Sequence, residues 1–122
     1  MKKKNIVKDS KEFTRIIHTI RPYRGQGFLI YIDKSVGNSF DKNDFDYQFG
    51  ITISNKVGHA VVRNRIKRQI KSIIDKNNYQ NSFKCIIIIK REILEKNYHD
   101  LENDLNYYFH KGGILEEKDE QI

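Results

Sequence analysis

Arg63, Arg65, Lys67, Arg68 and Lys71 fall within nine residues, with Asn64 among them and Lys56 and His59 just upstream. Cations at this density suit phosphate. Arg offers a bidentate fork, Lys a point charge, and Asn can both donate to and accept from a base edge or a 2′-hydroxyl. On a wheel of about 100° per residue, Val62, Ile66, Ile70 and Ile73 form a stripe about 80° wide, and the cations and Asn64 take the remaining arc. No Asp or Glu stands three or four residues from Arg63, Arg65, Lys67 or Arg68, so such a helix does not neutralise itself. Arg63 in its first turn also opposes the helix dipole. A polyanion relieves both penalties; a solvated helix face, the plain alternative, explains neither.

Other residue types that do chemistry are present without partners. His18, His59, His99 and His110 have no Asp-x-His neighbour and no adjacent nucleophile, so packing or surface roles suit them better than acid-base catalysis. Asp100, Glu102 and Asp104 are spaced by two, which spreads them over different faces of a helix and disfavours a metal site. Gly25-Gln26-Gly27 lacks the third glycine and helix of a dinucleotide site, and Gly58 has no phosphate-loop frame. Cys85 stands alone inside an apolar run, which excludes an internal disulfide and marks it as an inert small hydrophobe. Tyr31 is read equally well as a core aromatic or as a base-stacking platform.

The elements that must position the basic residues can be read from periodicity. The start, MKKKNIVK, has none, and is expected to be a mobile or partly ordered arm. Asp9-x-x-Glu12 reads as a capping box opening a helix with Phe13, Ile16, Ile17 and Ile20 on one face, ended by Arg21-Pro22. Gly25 and Gly27 read as loop, and Phe28 to Ile32 as a strand. After a polar loop over 34–44, Phe45, Tyr47, Phe49, Ile51 and Ile53 alternate with polar residues, a strand with one buried face. The Gly50 gap on its polar face would admit a ligand backbone. A turn at Asn55-Lys56-Val57-Gly58 leads to the basic helix, from about His59 to Asn77. Lys84 to Lys90 is a strand covered on both faces, and a last helix spans about Tyr98 to His110, stopped by Gly112-Gly113. The order α-β-β-α-β-α, with room for one more strand, predicts an α/β two-layer sandwich with its helices on one face of a small sheet.

Length and charge bound the rest. The 122 residues suffice for one domain, expected over 1–115, with 116–122 an acidic and mobile tail. The net charge is +7, and residues 55–76 alone carry +6 while 92–122 carry −6. That focusing is the footprint of a polyanion binder. No apolar run approaches the ~20 residues of a membrane span, and the basic start has no apolar stretch behind it, so neither membrane nor export is expected and the cytoplasm is the expected compartment.

The run Lys56-Val57-Gly58-His59-Ala60-Val61-Val62-Arg63-Asn64-Arg65-Ile66-Lys67-Arg68 resembles, without a gap, the signature of the bacterial ribonuclease P protein family, K-[VI]-G-N-A-V-x-R-N-R-[IV]-K-R. The resemblance extends over nearly the whole chain. It departs from the family at His59, where Asn is common, at Ile17, where an aromatic is frequent, and in its more acidic tail. The resemblance implies an α-β-β-β-α-β-α order with the basic helix in a left-handed crossover between parallel strands, as in a related ribosomal-protein domain. It implies a protein subunit without catalytic residues of its own, beside an RNA subunit that cleaves the phosphodiester with bound Mg²⁺, the protein holding no cofactor tightly. Lys56, His59, Arg63, Asn64, Arg65, Lys67, Arg68 and Lys71 would face that RNA. Phe13, Ile17, Tyr31 and Lys90 would line a cleft for the single-stranded 5′ leader of precursor tRNA, and the protein would be monomeric within the holoenzyme. A general RNA-binding or ribosome-associated module is the competing reading. A helix-turn-helix DNA binder is disfavoured because a strand, not a companion helix, precedes the basic helix.

Overall fold

A computed structural model describes residues 1–34, 46–80 and 82–116. Its elements are α1 (Ser10–Thr19), β1 (Tyr23–Gly25), β2 (Phe28–Asp33), β3 (Gln48–Ile53), α2 (Ala60–Asp75), β4 (Lys84–Ile89) and α3 (Tyr98–Lys111). Short 3₁₀ turns lie at Lys3–Asn5, Asn55–Val57 and Arg91–Glu95. The sheet order is β1-β2-β4-β3, with β2 antiparallel to β1 and β4, and β3 parallel to β4. The basic helix α2 is therefore the crossover between two neighbouring parallel strands. This is the mixed α/β architecture and element order expected.

Central β4 explains its own composition. Cys85, Ile87 and Ile89 enter the main core with Ile66, Ile70, Ile73 and Ile74 of α2 and Leu101, Leu105 and Phe109 of α3. Ile86 and Ile88 point to the opposite face, where Tyr31 and Ile16 join them. Phe49, Tyr79, Phe83 and Phe109 centre the core, with ring centroids 5.0 to 6.1 Å apart. Each fully buried Ile or Phe contributes about 1.5–3 kcal/mol of transfer free energy.

Several local expectations are corrected. The Gly25–Gly27 segment is a tight hairpin rather than a loop: Gly25 pairs with Phe28, and Gly27 takes φ +87° at the turn. The N-terminal arm is ordered along the edge of β3. Ile6 bridges Phe49, the Val7 amide donates to the Phe49 carbonyl, and the buried Asn5 donates Nδ2 to the Tyr47 carbonyl. An arm that covers an exposed strand edge blunts it against foreign pairing. Phe45 and the polar loop over 35–44 lie outside the described residues, as do residues 117–122 of the acidic tail.

α1 is not on the face that α2 and α3 cover. Its apolar stripe rests on the other face, against Tyr31 and Ile86. Phe13 fills the gap at Gly50, where an added Cβ would lie 3.2 Å from the Phe13 ring and 2.8 Å from Ile86 Cδ1. The space read as room for a ligand thus seats a helix. The capping box is only half made: Asp9 accepts from the Lys11 amide, but Glu12 turns to stronger partners. Arg15 Nε and Lys84 Nζ donate to its carboxylate at 2.7 and 2.9 Å, and Arg15 Nη2 reaches the buried Asp33 at 2.6 Å.

This four-residue ionic cluster clamps the start of α1 to β2 and β4. The Arg15 guanidinium first, and then Lys84, lower the Glu12 pKa to about 2 from its ordinary 4.5. A depressed carboxylate adds stability that is present above its unfolded pKa and is lost as pH falls through the folded value. Glu12→Gln should therefore destabilise the protein by about 1–3 kcal/mol at neutral pH, and the gap from the parent should close between about pH 4.5 and 2. Denaturant melts of both proteins across that range check this; a pH-independent gap would mean shape, not charge, holds α1.

Candidate nucleic-acid interface

The basic helix begins at a turn that only glycine can make. Gly58 sits at φ +154° and ψ −173°, and an added Cβ would meet Val62 at 3.2 Å. Ser54 caps the 3₁₀ turn Asn55–Val57 by accepting from the Lys56 amide, and buried Val57 anchors that turn in the core. Arg63 reaches back to it, donating Nε to the Gly58 carbonyl and Nη1 to Asn55 Oδ1, both at 3.1 Å. Arg63 thus fixes the angle at which α2 leaves the turn. The sequence placed it on the phosphate-facing surface; the structure gives it a positioning duty as well.

His59 is the N-cap of α2, exposed and making no side-chain cap bond. Asn64, Arg65, Lys67 and Arg68 are exposed along the helix, Lys56 is exposed in the turn, and Lys71 is half-buried. Among the described residues, none of Lys56, Arg65, Lys67, Arg68 or Lys71 pairs with a carboxylate within 4.0 Å, whereas Lys4, Arg15, Lys76, Lys84 and Lys96 all do. Five cations outside the helix arc are neutralised in this way, and the arc itself is left uncompensated among the described residues.

A second surface lies on the sheet face that α1 only partly covers. Arg24, Leu29, Ile88 and Thr52 are paired in register across all four strands, one row beyond Tyr31 and Ile86. Leu29 and Ile88 are half-buried, and Arg24 and Thr52 are exposed. Ile17 of α1 and Ile20 just after it pack on the cluster beneath the row, and exposed Lys90, two residues past Ile88 at the strand exit, has its amide donating to the Gly27 carbonyl. Ile17 and Lys90 therefore border this strip. Phe13 and Tyr31 contribute less to it: Phe13 is wedged over Gly50, and Tyr31, 8% exposed, packs with Ile16 and Ile86 beneath α1. Leu29, Ile88, Thr52 and Arg24 were not singled out in the sequence. Strand parity could have put Leu29 on one face with Tyr31, but neither the matching faces of the other strands nor the part that α1 leaves uncovered.

The remaining candidates are structural. Asp104 pairs with Lys96 and Glu102 with Lys76, so two of the three α3 acids are committed to ion pairs. Burial pushes the Cys85 thiol well above its ordinary pKa and leaves it unreactive.

The family model for ribonuclease P matches residues 1–113. The chain belongs to the ribonuclease P protein family. Among similar relatives, the ribonuclease P protein component of Bacillus mycoides is 35% identical over 117 residues, covering 93% of this chain and 96% of that one. That of Mesoplasma florum is 34% identical over 110 residues, covering 87% and 93%. The solved structure of the Staphylococcus aureus RNase P protein shares the fold, with a TM-score of 0.75 at 22% identity over 92% of this chain and 98% of that one. The Thermotoga maritima RNase P protein gives 0.71 at 19% identity, over 87% and 96%. Ribonuclease P proteins belong to a ribonucleoprotein that cuts RNA in tRNA processing, so this chain has an RNA partner.

Proposed function

We propose that this chain binds the catalytic RNA subunit of ribonuclease P through the cationic arc of α2 and its preceding turn, and holds the 5′ leader of precursor tRNA on the strip beside α1. The observation that carries the reading is the pairing of an unneutralised basic helix with a partly uncovered row on the opposite sheet face, joined to it through β3. Arg65, Lys67, Arg68, Lys71, Lys56 and His59 meet phosphates of the RNA subunit, and Asn64 a 2′-hydroxyl or base edge. Thr52, Ile88, Leu29 and Ile17 offer an apolar floor for bases, with Lys90 and Arg24 at its margins for phosphates. Mg²⁺ held by the RNA subunit supplies the hydrolytic chemistry. This chain, as one copy per holoenzyme in the cytoplasm, contributes charge and position.

Reconstitution with a bacterial ribonuclease P RNA tests the reading. The protein should lower the Mg²⁺ and salt at which precursor tRNA is cleaved, because bound cations replace condensed counterions. In that holoenzyme Thr52→Asp, an exposed change that sets a negative charge on the strip, should weaken precursor tRNA about tenfold and leave mature tRNA unchanged. Equal losses for both tRNAs would remove the leader from the strip. Cleavage by the protein alone, after every trace of RNA is destroyed, would overturn the division of labour.

A further inference from the structure

On the far side of the β1 edge, an aromatic and cationic patch sits at the rim of the core, where Tyr23 and Tyr108 pack inward and Tyr107 stays out in solvent. Tyr107 of α3 is 58% exposed, one of three large apolar side chains so exposed among the described residues. Its ring meets Tyr108 edge-on at 5.0 Å, and Tyr108 in turn lies 5.9 Å from Tyr23 of β1. Lys111 Nζ stands 5.8 Å from the Tyr23 ring centroid and 5.9 Å from that of Tyr107. The Tyr108 hydroxyl donates to the Arg24 carbonyl, which ties the group to the edge strand. A lone exposed tyrosine needs no explanation. Three linked rings, two of them beside the Lys111 ammonium, with exposed Arg24 on the other face of the same edge strand, offer bases a stack at the rim and cations for their phosphates. Asp104 and Glu102 on the same helix are held by Lys96 and Lys76, so they do not cancel that charge.

The patch is continuous with the strip beside α1. The row Thr52–Ile88–Leu29–Arg24 runs from the strand that feeds the basic helix to the opposite edge of the sheet, and ends at Arg24. Three interstrand gaps make this path about 14 Å long. A single strand that starts at Thr52, on the strand leading into α2, and follows the row leaves the sheet over Arg24, next to Tyr23 and Tyr107.

We infer that Tyr107, Tyr23, Lys111 and Arg24 form a second single-stranded RNA subsite, one that takes the leader nucleotides farthest from the cleavage point after they cross the β1 edge. The inference rests on the leader lying in the strip. It gives the protein a measure of leader length: short leaders end on the sheet, and longer ones gain a stack on Tyr107.

The test uses holoenzyme reconstituted with the parent protein, Tyr107→Ala or Tyr107→Phe, titrated with precursor tRNAs whose leaders are lengthened one nucleotide at a time. With the parent, affinity should first rise as the strip fills, then rise again by about tenfold once the leader passes the edge. Tyr107→Ala should lose only the second rise and bind short-leader precursors as the parent does. Tyr107→Phe keeps the ring and should keep the rise. Parent-like titrations by Tyr107→Ala at every length, or a loss equal at all lengths, would overturn the subsite while leaving the strip in place. If the parent shows no dependence on a leader of any length, the reading of the strip itself falls.

Discussion

Replacing Arg65, Lys67 and Arg68 together by alanine should leave folding stability nearly unchanged and lower affinity for the ribonuclease P RNA subunit about a thousandfold. Each exposed charge-assisted contact is worth about 1–3 kcal/mol, and three at the lower part of that range give the factor. Stability should hold because all three side chains are exposed, lie off the stripe of Ile66, Ile70, Ile73 and Ile74, and engage no carboxylate among the described residues. Removing mutual repulsion between them should even raise the melting temperature slightly. The salt dependence carries a separate signature: the slope of log affinity against log salt should flatten by about 0.7 for each phosphate left without its cation. Filter binding across a salt series, beside a thermal melt, reads both. A large fall in melting temperature at unchanged affinity would make the arc a structural element. Arg63 is left out of this set because it also holds the turn through Gly58 and Asn55.

Gly27→Ala is expected to be the most damaging single methyl in the protein. Gly27 sits at φ +87°, and its Cβ would lie 2.4 Å from the amide nitrogen and 2.7 Å from the Cα of Ile93. Those atoms belong to backbone, in a 3₁₀ turn anchored by buried Ile93, and cannot swing aside as a side-chain tip would. Positive φ and a backbone overlap together should cost about 3–5 kcal/mol, or roughly 10–20 °C in melting temperature for a domain of this size. Function should fall with it, since the Gly27 carbonyl accepts from the Lys90 amide at the margin of the strip. Calorimetry on the purified variant decides the first point. A loss below about 1 kcal/mol would show that the Arg91–Glu95 turn yields easily.

The basic helix was readable because its signal is local: five cations, four of them with no acid three or four residues away, need no knowledge of the sheet. Strand β4 was readable for a related reason, its unbroken β-branched run fitting burial on both faces. What sequence could not supply was partnership across distance. Glu12 looks like half of a capping box until Lys84 and Arg15 are brought to it. β1 has three residues between a proline and a glycine turn, too short for any period to show. Tyr31 could belong to core or cleft because parity gives the face, not the footprint of the helix lying on it. Tyr107 stands beside an apolar stripe of Leu101, Leu105, Tyr108 and Phe109 and carries no signal of its own until β1 brings Tyr23 up to Lys111.

The crossover through α2 gives the order of assembly a functional weight. β3 and β4 are parallel neighbours, so their pairing can close only once the intervening helix has been laid against them. The β3–β4 contacts, at one edge of the sheet, tie down both ends of the helix presenting the cations. A chain stalled before that step has the same charge but no ordered arc. RNA that recognises the arc therefore binds the finished fold in preference to earlier states, and through mass action holds the chain there. An RNA bound at the arc would act as proofreading for the fold that carries it.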